Sequence, residues 1–264
     1  GQLNVVDVWS APFPIAYGKE DLEAGAHAIS SLEAATAALK KGEVDVLVTA
    51  PIHKKSIQSD TFKFPGHTDY LNEQLEGDSL MFMVTDSLKV ALMSDHIPLK
   101  EVVGYLNEEK INAKIASLEK SLSQDFGIQR PKIAVLGINP HTGDNGVIGD
   151  EDDTLLTPVI KKWNEKGSLV FGPYAADGFF GNQRYTKFDG VLATYHDQGL
   201  IPFKTLSFGQ GVNFTAGLSH VRTSPDHGTA FDIAGKGVAD ASSFSEAVYT
   251  ARAIFLQRKE VNFS

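Results

Sequence analysis

Asp21 to Lys41, then Gly42, then Val44-Asp45-Val46-Leu47-Val48-Thr49-Ala50 and Pro51, reads as helix, stop, strand, stop. Leu22, Ile29, Leu32 and Leu39 recur among many alanines, the composition of a good helix, and Gly42 supplies a residue suited to ending one. The valine-rich run after it is a buried strand closed by Pro51. The alternation continues outward. Strands are expected at Val5–Trp9, Leu80–Thr85, Lys89–Ser94, Lys132–Ile138, Ser168–Phe171, Gly190–Tyr195 and Val212–Ala216, and helices at Glu108–Asp125, Glu151–Lys166 and Ser243–Arg258. Helices and strands that alternate in this way predict an α/β fold with a mixed, mostly parallel sheet. No repeat or low-complexity linker divides the chain, so two lobes would interleave rather than follow one another.

The 264 residues, 42% of them apolar, suffice for an ordinary core. With 33 acidic against 24 basic residues the net charge of −9 argues against a nucleic-acid surface, which needs a concentrated basic stripe. Any anionic substrate must therefore find a local cationic pocket. Apolar runs such as Val44–Ala50 and Ile133–Ile138 fall far short of the roughly 20 residues that cross a bilayer. The chain has no cysteine, which excludes disulfides, thiolate metal sites and cysteine nucleophiles. No export signal opens it, so the cytoplasm is the expected compartment; the first residue is Gly1, so the true start is expected to lie ahead of it.

Four histidines share one local grammar, an apolar strand followed by a short polar loop that holds the imidazole: His53, His96, His141 and His196. In an open parallel sheet ligands bind beyond the carboxyl ends of the strands, so these four are expected on one rim. Imidazoles with nearby carboxylates suit a divalent ion such as zinc and leave positions open for a substrate. Position alone leaves each open to an ordinary surface role. His27, among helical alanines, and His220, after a Gly-Leu-Ser turn with no strand directly before it, are read as structural.

A second cluster is cationic and polar: Lys204, Asn213 and Arg222. A point charge, an amide and a planar fork suit a phosphate monoester, although any one of them can equally belong to a solvated face. A third feature, Asp226 to Gly237, is rich in small residues that allow close backbone approach, and Asp232 can accept from ribose hydroxyls. It reads equally as a plain glycine-rich turn. Gly209-Gln210-Gly211 makes no dinucleotide fingerprint, because the third glycine would fall at Phe214.

Thr49-Ala50-Pro51-Ile52-His53-Lys54, Gly66-His67-Thr68, Ser94-Asp95-His96-Ile97-Pro98-Leu99, Gly137-Ile138-Asn139-Pro140-His141-Thr142-Gly143, Tyr195-His196-Asp197-Gln198-Gly199-Leu200 and Arg222-Thr223-Ser224-Pro225-Asp226-His227-Gly228-Thr229-Ala230 follow in order. Together they resemble the 4-hydroxythreonine-4-phosphate dehydrogenase family, of isopropylmalate dehydrogenase-like fold. The resemblance implies a metal (zinc, magnesium or cobalt) on His96, His141 and His196, with His96 supplied by the other subunit of a homodimer. It implies that His67, Thr68, Lys204, Asn213 and Arg222 bind substrate, that Asp177 stands beside the metal, and that His67 and Asp197 are acid–base candidates. His227, Gly228, Thr229, Ala230 and Asp232 would hold the adenosine of NAD or NADP. Residues 1–60 with 205–264 would form a cofactor lobe and 61–204 a metal, substrate and dimerisation lobe. A further strand and helix with a Pro-Gly-Glu-Pro-type loop would precede Val5, and this chain is read as lacking them.

The implied reaction is oxidation of 4-phosphohydroxy-L-threonine to a β-keto acid that loses carbon dioxide to give 3-amino-2-oxopropyl phosphate, in vitamin B6 biosynthesis. Gly178 to Tyr185 departs from the family form, which bears on the substrate. The rivals are a dehydrogenase of phosphorylated threonate or erythronate, a phosphate-handling acyltransferase of related fold, and a nonenzymatic metal-binding module.

Overall fold

The computed structural model describes residues 2–10 and 12–262. Its centre is an eight-stranded sheet. The strands are β1 (Val46–Val48), β2 (Gly77–Val84), β3 (Lys89–Leu92), β4 (Lys132–Leu136), β5 (Leu169–Tyr174), β6 (Gly190–Ala193), β7 (Val212–Leu218) and β8 (Val221–Pro225). They lie in the order β1-β8-β7-β2-β3-β6-β4-β5. The pairs β1/β8, β3/β6, β6/β4 and β4/β5 are parallel, and β8/β7, β7/β2 and β2/β3 antiparallel. The sheet is thus mixed and mostly parallel, as expected.

Among the described residues eight α-helices accompany it: α1 (Leu22–Lys40), α2 (His67–Gln74), α3 (Val102–Tyr105), α4 (Glu108–Phe126), α5 (Thr157–Glu165), α6 (Ala176–Gly181), α7 (His196–Ser207) and α8 (Ser242–Asn262). Local chemistry sets several ends. Asp21 caps α1 by accepting from the amides of Glu23 and Ala24, and Asn107 caps α4, which stops at Gly127 in the left-handed region.

Strand alternation sorts the sheet's two faces. Phe214 and Ala216 of β7, Val221 of β8 and Leu80, Phe82 and Val84 of β2 share one core with Ile111, Ile115 and Leu118 of α4 and Ala247, Ala251 and Ile254 of α8. On the opposite face Val90, Leu92, Val191 and Ala193 pack with Leu200 and Phe203 of α7. Leu47 and Leu218 pack there with residues of α1 and α2.

Three expectations are corrected, while Glu151–Lys166 is helical as expected, with one π-helical turn, Asp152–Leu156, leading into α5. Val5–Trp9 is no strand: it pairs with nothing among the described residues, and Val5 and Val6 are each 80% exposed, so no burial offsets the cost of ordering them. His220 does follow a strand, because β7 runs to Leu218 and leaves Ser219 and His220 as the turn before β8. Finally, β1 runs opposite to β3, β4 and β6, since three antiparallel steps separate β8 from β3, so His53 leaves the sheet at the other end from His96, His141 and His196. Among the described residues no helix is long and apolar enough to cross a membrane.

Candidate active site

β3, β4 and β6 are parallel and adjacent around β6, so the loops after them open on one rim. His96 and His196 meet there, with ring centres 5.6 Å apart. They line a cavity of about 290 Å³ together with Asp95, Leu99, Tyr195 and Asp197. Two imidazoles on a tetrahedral ion, with N–metal bonds of about 2.0–2.1 Å, hold their ring centres roughly 5–5.5 Å apart. At 5.6 Å the two rings stand just beyond that spacing, so a small side-chain adjustment would let both reach one divalent ion. Asp197 Oδ1 lies 2.7 Å from His196 Nδ1, an arrangement that fixes the ring and turns Nε2 outward as the free ligand atom. His196 is also the first residue of α7.

His141 sits on the same rim in the left-handed region, at φ 52°, as does Thr142. For non-glycine residues this is uncommon and is maintained only where the surroundings impose it. Here the surroundings are Asp152, fully buried, whose carboxylate accepts from the backbone amides of Ile138 (2.7 Å) and Asn139 (2.9 Å). Among the described residues no three histidine or carboxylate side chains converge on one point. Within one chain His96 approaches His196, the two that the resemblance divides between subunits. Asp177 lies exposed in the first turn of α6, beyond β5, and its carboxylate has no hydrogen-bond or ion-pair partner among the described residues.

The second centre is Arg222. It sits on β8 with Leu47 of β1 as its neighbour in register, on the face away from α8; Thr223, beside it, points the other way and donates to the Ala247 carbonyl of α8. Arg222 is 3% exposed. Its Nε and Nη2 reach Thr49 Oγ1 at 3.2 and 2.6 Å, and Nη1 reaches Thr215 Oγ1 at 3.0 Å. Burial pulls it down to about 10, still charged at neutral pH, and no carboxylate pairs with it among the described residues. A buried, unneutralised guanidinium is costly, and a bound anion removes that cost.

His67, the first residue of α2, lies close enough for the Arg222 charge to act on it; burial chiefly, and then Arg222, hold it down at about 3. It is neutral at physiological pH. The α2 N-terminus begins at Gly66, which has no capping side chain, so its amides, Thr68 among them, remain available to an anion. Asn213 and Thr215 alternate on β7 so as to face Arg222's side of the sheet.

Lys204, late in α7, pairs with Asp226 at 2.9 Å. Burial raises Asp226, while Lys204, His227 and His196 oppose that rise. α7 thus spans the sheet from the histidine rim to the end where β8 emerges. Beyond Asp226, His227 to Phe231 and Ile233 to Gly235 line a cleft of about 420 Å³ with Pro51, Gly237 and Ala239. Asp232 is exposed and does not line it.

The model of the family described as "Pyridoxal phosphate biosynthetic protein PdxA" matches residues 1–251. The chain belongs to the PdxA family. A relative from Bacteroides thetaiotaomicron named 4-hydroxythreonine-4-phosphate dehydrogenase is 48% identical over 98% of the chain and 71% of its own length. The crystal structure of 4-hydroxythreonine-4-phosphate dehydrogenase from Klebsiella pneumoniae, 38% identical, superposes with a TM-score of 0.78 over 90% of this chain and 73% of that one. A terephthalate 1,2-cis-dihydrodiol dehydrogenase from Burkholderia xenovorans, 26% identical, gives 0.65 over 95% and 79%. The PdxA relatives are oxidoreductases by name, and the expected enzyme class and fold stand.

Sequence reading missed Thr49 and Thr215, which hold Arg222, and Asp152 and Gln198, which hold the histidine loops. Thr49 and Gln198 stood inside quoted motifs; Thr215 and Asp152 carried no signal beyond being polar residues in apolar surroundings.

Proposed function

We propose that this chain oxidises 4-phosphohydroxy-L-threonine with NAD or NADP and a divalent ion, and that the resulting β-keto acid loses carbon dioxide to give 3-amino-2-oxopropyl phosphate. The observation that carries the reading is Arg222, a buried cation held by two threonine hydroxyls with no carboxylate to neutralise it among the described residues. A phosphate monoester supplies the missing charge and accepts from a planar fork. Asn213, Thr68 and neutral His67, with Lys204 if it leaves Asp226, would complete its surroundings and turn binding energy at the phosphate into orientation at the reacting carbon.

His96 and His196, with His141 as third ligand, would hold the ion. When bound there, a zinc, magnesium or cobalt ion supplies Lewis acidity that lowers the pKa of the substrate hydroxyl and stabilises charge developing as carbon dioxide departs. Asp197 fixes the His196 ring, and Asp177, without a partner among the described residues, would take up a proton. Neutral His67 can donate or accept one hydrogen bond without adding charge beside Arg222.

The cleft between Pro51 and the His227–Gly237 segment supports an adenosine site there. The lobe division at 60/61 and 204/205 is supported by strand order, since β1, β8 and β7 lie together at one end of the sheet. A homodimer is supported by apolar side chains left exposed near the histidine rim and along α7, among them Phe208 (87%), Val147 (81%), Leu99 (68%) and Ile201 (63%). The cytoplasm is the proposed compartment.

The test is formation of reduced nicotinamide from 4-phosphohydroxythreonine, against a panel containing phosphorylated threonate and erythronate. Preference for the amino acid supports the reading; preference for either sugar acid transfers it to that substrate.

A further inference from the structure

Gln198 is the fourth residue of the strand–helix motif that carries His196, and its side chain faces inward rather than toward any substrate. Its Oε1 accepts from the backbone amide of Thr194 at 2.8 Å, and Thr194 Oγ1 lies 2.9 Å from the same oxygen. Its Nε2 donates to the Gly137 carbonyl at 2.6 Å. A backbone amide can only donate and a carbonyl only accept, so the partners themselves fix which way the Gln198 amide points. One planar group thereby ties the end of β6 to the end of β4.

The tie extends on both sides. Ser94, on the loop that leads to His96, donates its hydroxyl to the Thr194 carbonyl at 2.7 Å, and the Met93 amide donates to the Ala193 carbonyl. Ser94 and Thr194 are buried. On the far side, Asp152 holds the amides of Ile138 and Asn139, the residues immediately after Gly137. At Gly137 a Cβ would stand 2.8 Å from Asp152 Oδ1 and 2.9 Å from Thr142 Cγ2, so only glycine lets the loop close onto its clamp. Ser94, Thr194, Gln198 and Gly137, joined through the backbone to the Ile138 and Asn139 amides that Asp152 holds, form one buried to half-buried set of bonds touching all three histidine loops.

We propose that Gln198 is a positioning residue that fixes the His96, His141 and His196 loops relative to one another through the protein's own hydrogen bonds, before ion or substrate arrives. This rests on the reading of those histidines as metal ligands. The chemistry requires an amide: an ionised carboxylate of the same shape accepts from Thr194 but repels the Gly137 carbonyl, and an apolar side chain leaves the Thr194 amide unpaired and the Gly137 carbonyl with only the longer contact from Thr194 Oγ1, at 3.2 Å.

The test compares Gln198→Glu with the parent chain by two measurements without turnover: Co²⁺ binding followed by calorimetry and by the visible spectrum, and hydrogen exchange at the amides of residues 138–142. We expect Co²⁺ affinity about 10–100-fold weaker, with faster exchange at Ile138 and Asn139 and unchanged exchange in α4 and α8. Should Gln198→Glu fail to fold, Gln198→Met removes the same bonds without adding charge. Co²⁺ affinity within twofold of the parent, or unaltered exchange at Ile138 and Asn139, overturns the proposal. If the parent itself takes up no Co²⁺, the metal reading fails, and exchange alone then decides whether Gln198 positions the loops.

Discussion

The guanidinium of Arg222 on β8 is hydrogen-bonded twice to the single hydroxyl of Thr49, which follows β1, and is shut away from water without a carboxylate to balance it among the described residues. Structural arginines are normally exposed or paired when buried. This one is arranged to receive charge.

Arg222→Met therefore separates binding from stability. Hydrogen bonds to charged groups contribute about 1.5–3 kcal/mol each, so affinity for inorganic phosphate, measured by calorimetry, is expected to fall at least about tenfold. The melting temperature is expected to hold or rise, since replacing a buried charge by an apolar chain of similar volume is often neutral or stabilising. Unchanged phosphate affinity would remove Arg222 from the site.

His67 sets a pH dependence. In the fold it stays neutral down to about 3, whereas in the unfolded chain it protonates near its ordinary value of 6.5. Between those two values the unfolded state binds the extra proton, so the stability tied to neutral His67 is full above pH 6.5 and declines as pH falls toward 3. Urea unfolding between pH 7 and pH 4 should show parent and His67→Gln converging as acid is added. Parallel pH profiles for the two would show that His67 is not held neutral.

Packing of α7 gives a third expectation. At Gly199 a Cβ would approach Ala193 Cβ, Leu92 Cδ2 and Val90 Cγ1 at 2.9 Å, and no flexible chain end can swing clear. Gly199→Ala should cost about 1–3 kcal/mol, as overpacked cores do, measured as a lowered denaturant midpoint. A stabilised variant would mean that α7 stands farther from β3 and β6.

Asp197→Ala tests ring orientation. Loss of the Nδ1 partner is expected to weaken Zn²⁺ binding about 10–100-fold while leaving phosphate affinity at Arg222 intact. Equal loss of both would point to general disruption of α7.

Much of the fold was legible because its signals are local. Asp21 and Asn107 are good caps, Gly127 ends α4 by its left-handed backbone, and the apolar strands fell near their expected bounds. α7 was not legible, since Gly199 and Pro202 both read as breakers. Close packing of Gly199 under β3 and β6 overrides that propensity. Strand direction was hidden too, because the antiparallel pairings of β2 with β3 and β7 depend on contacts far apart in sequence, and these turned His53 away from the histidine rim.

The candidate site followed the same rule. Histidines after strands were visible as ligand types in loop positions, but their supports come from elsewhere: Asp152 for the loop before His141, and Thr49 and Thr215 for Arg222. A polar residue in an apolar run announces that it has a partner without saying which.

The most direct measurement follows reduced nicotinamide from 4-phosphohydroxythreonine in parent and His196→Ala protein, each with chelator and then with restored Zn²⁺ or Co²⁺. Turnover in the parent that chelator abolishes and the metal restores is expected, with none in His196→Ala under any condition. Turnover that survives chelator and the loss of His196 alike would contradict the proposed metal-dependent oxidation.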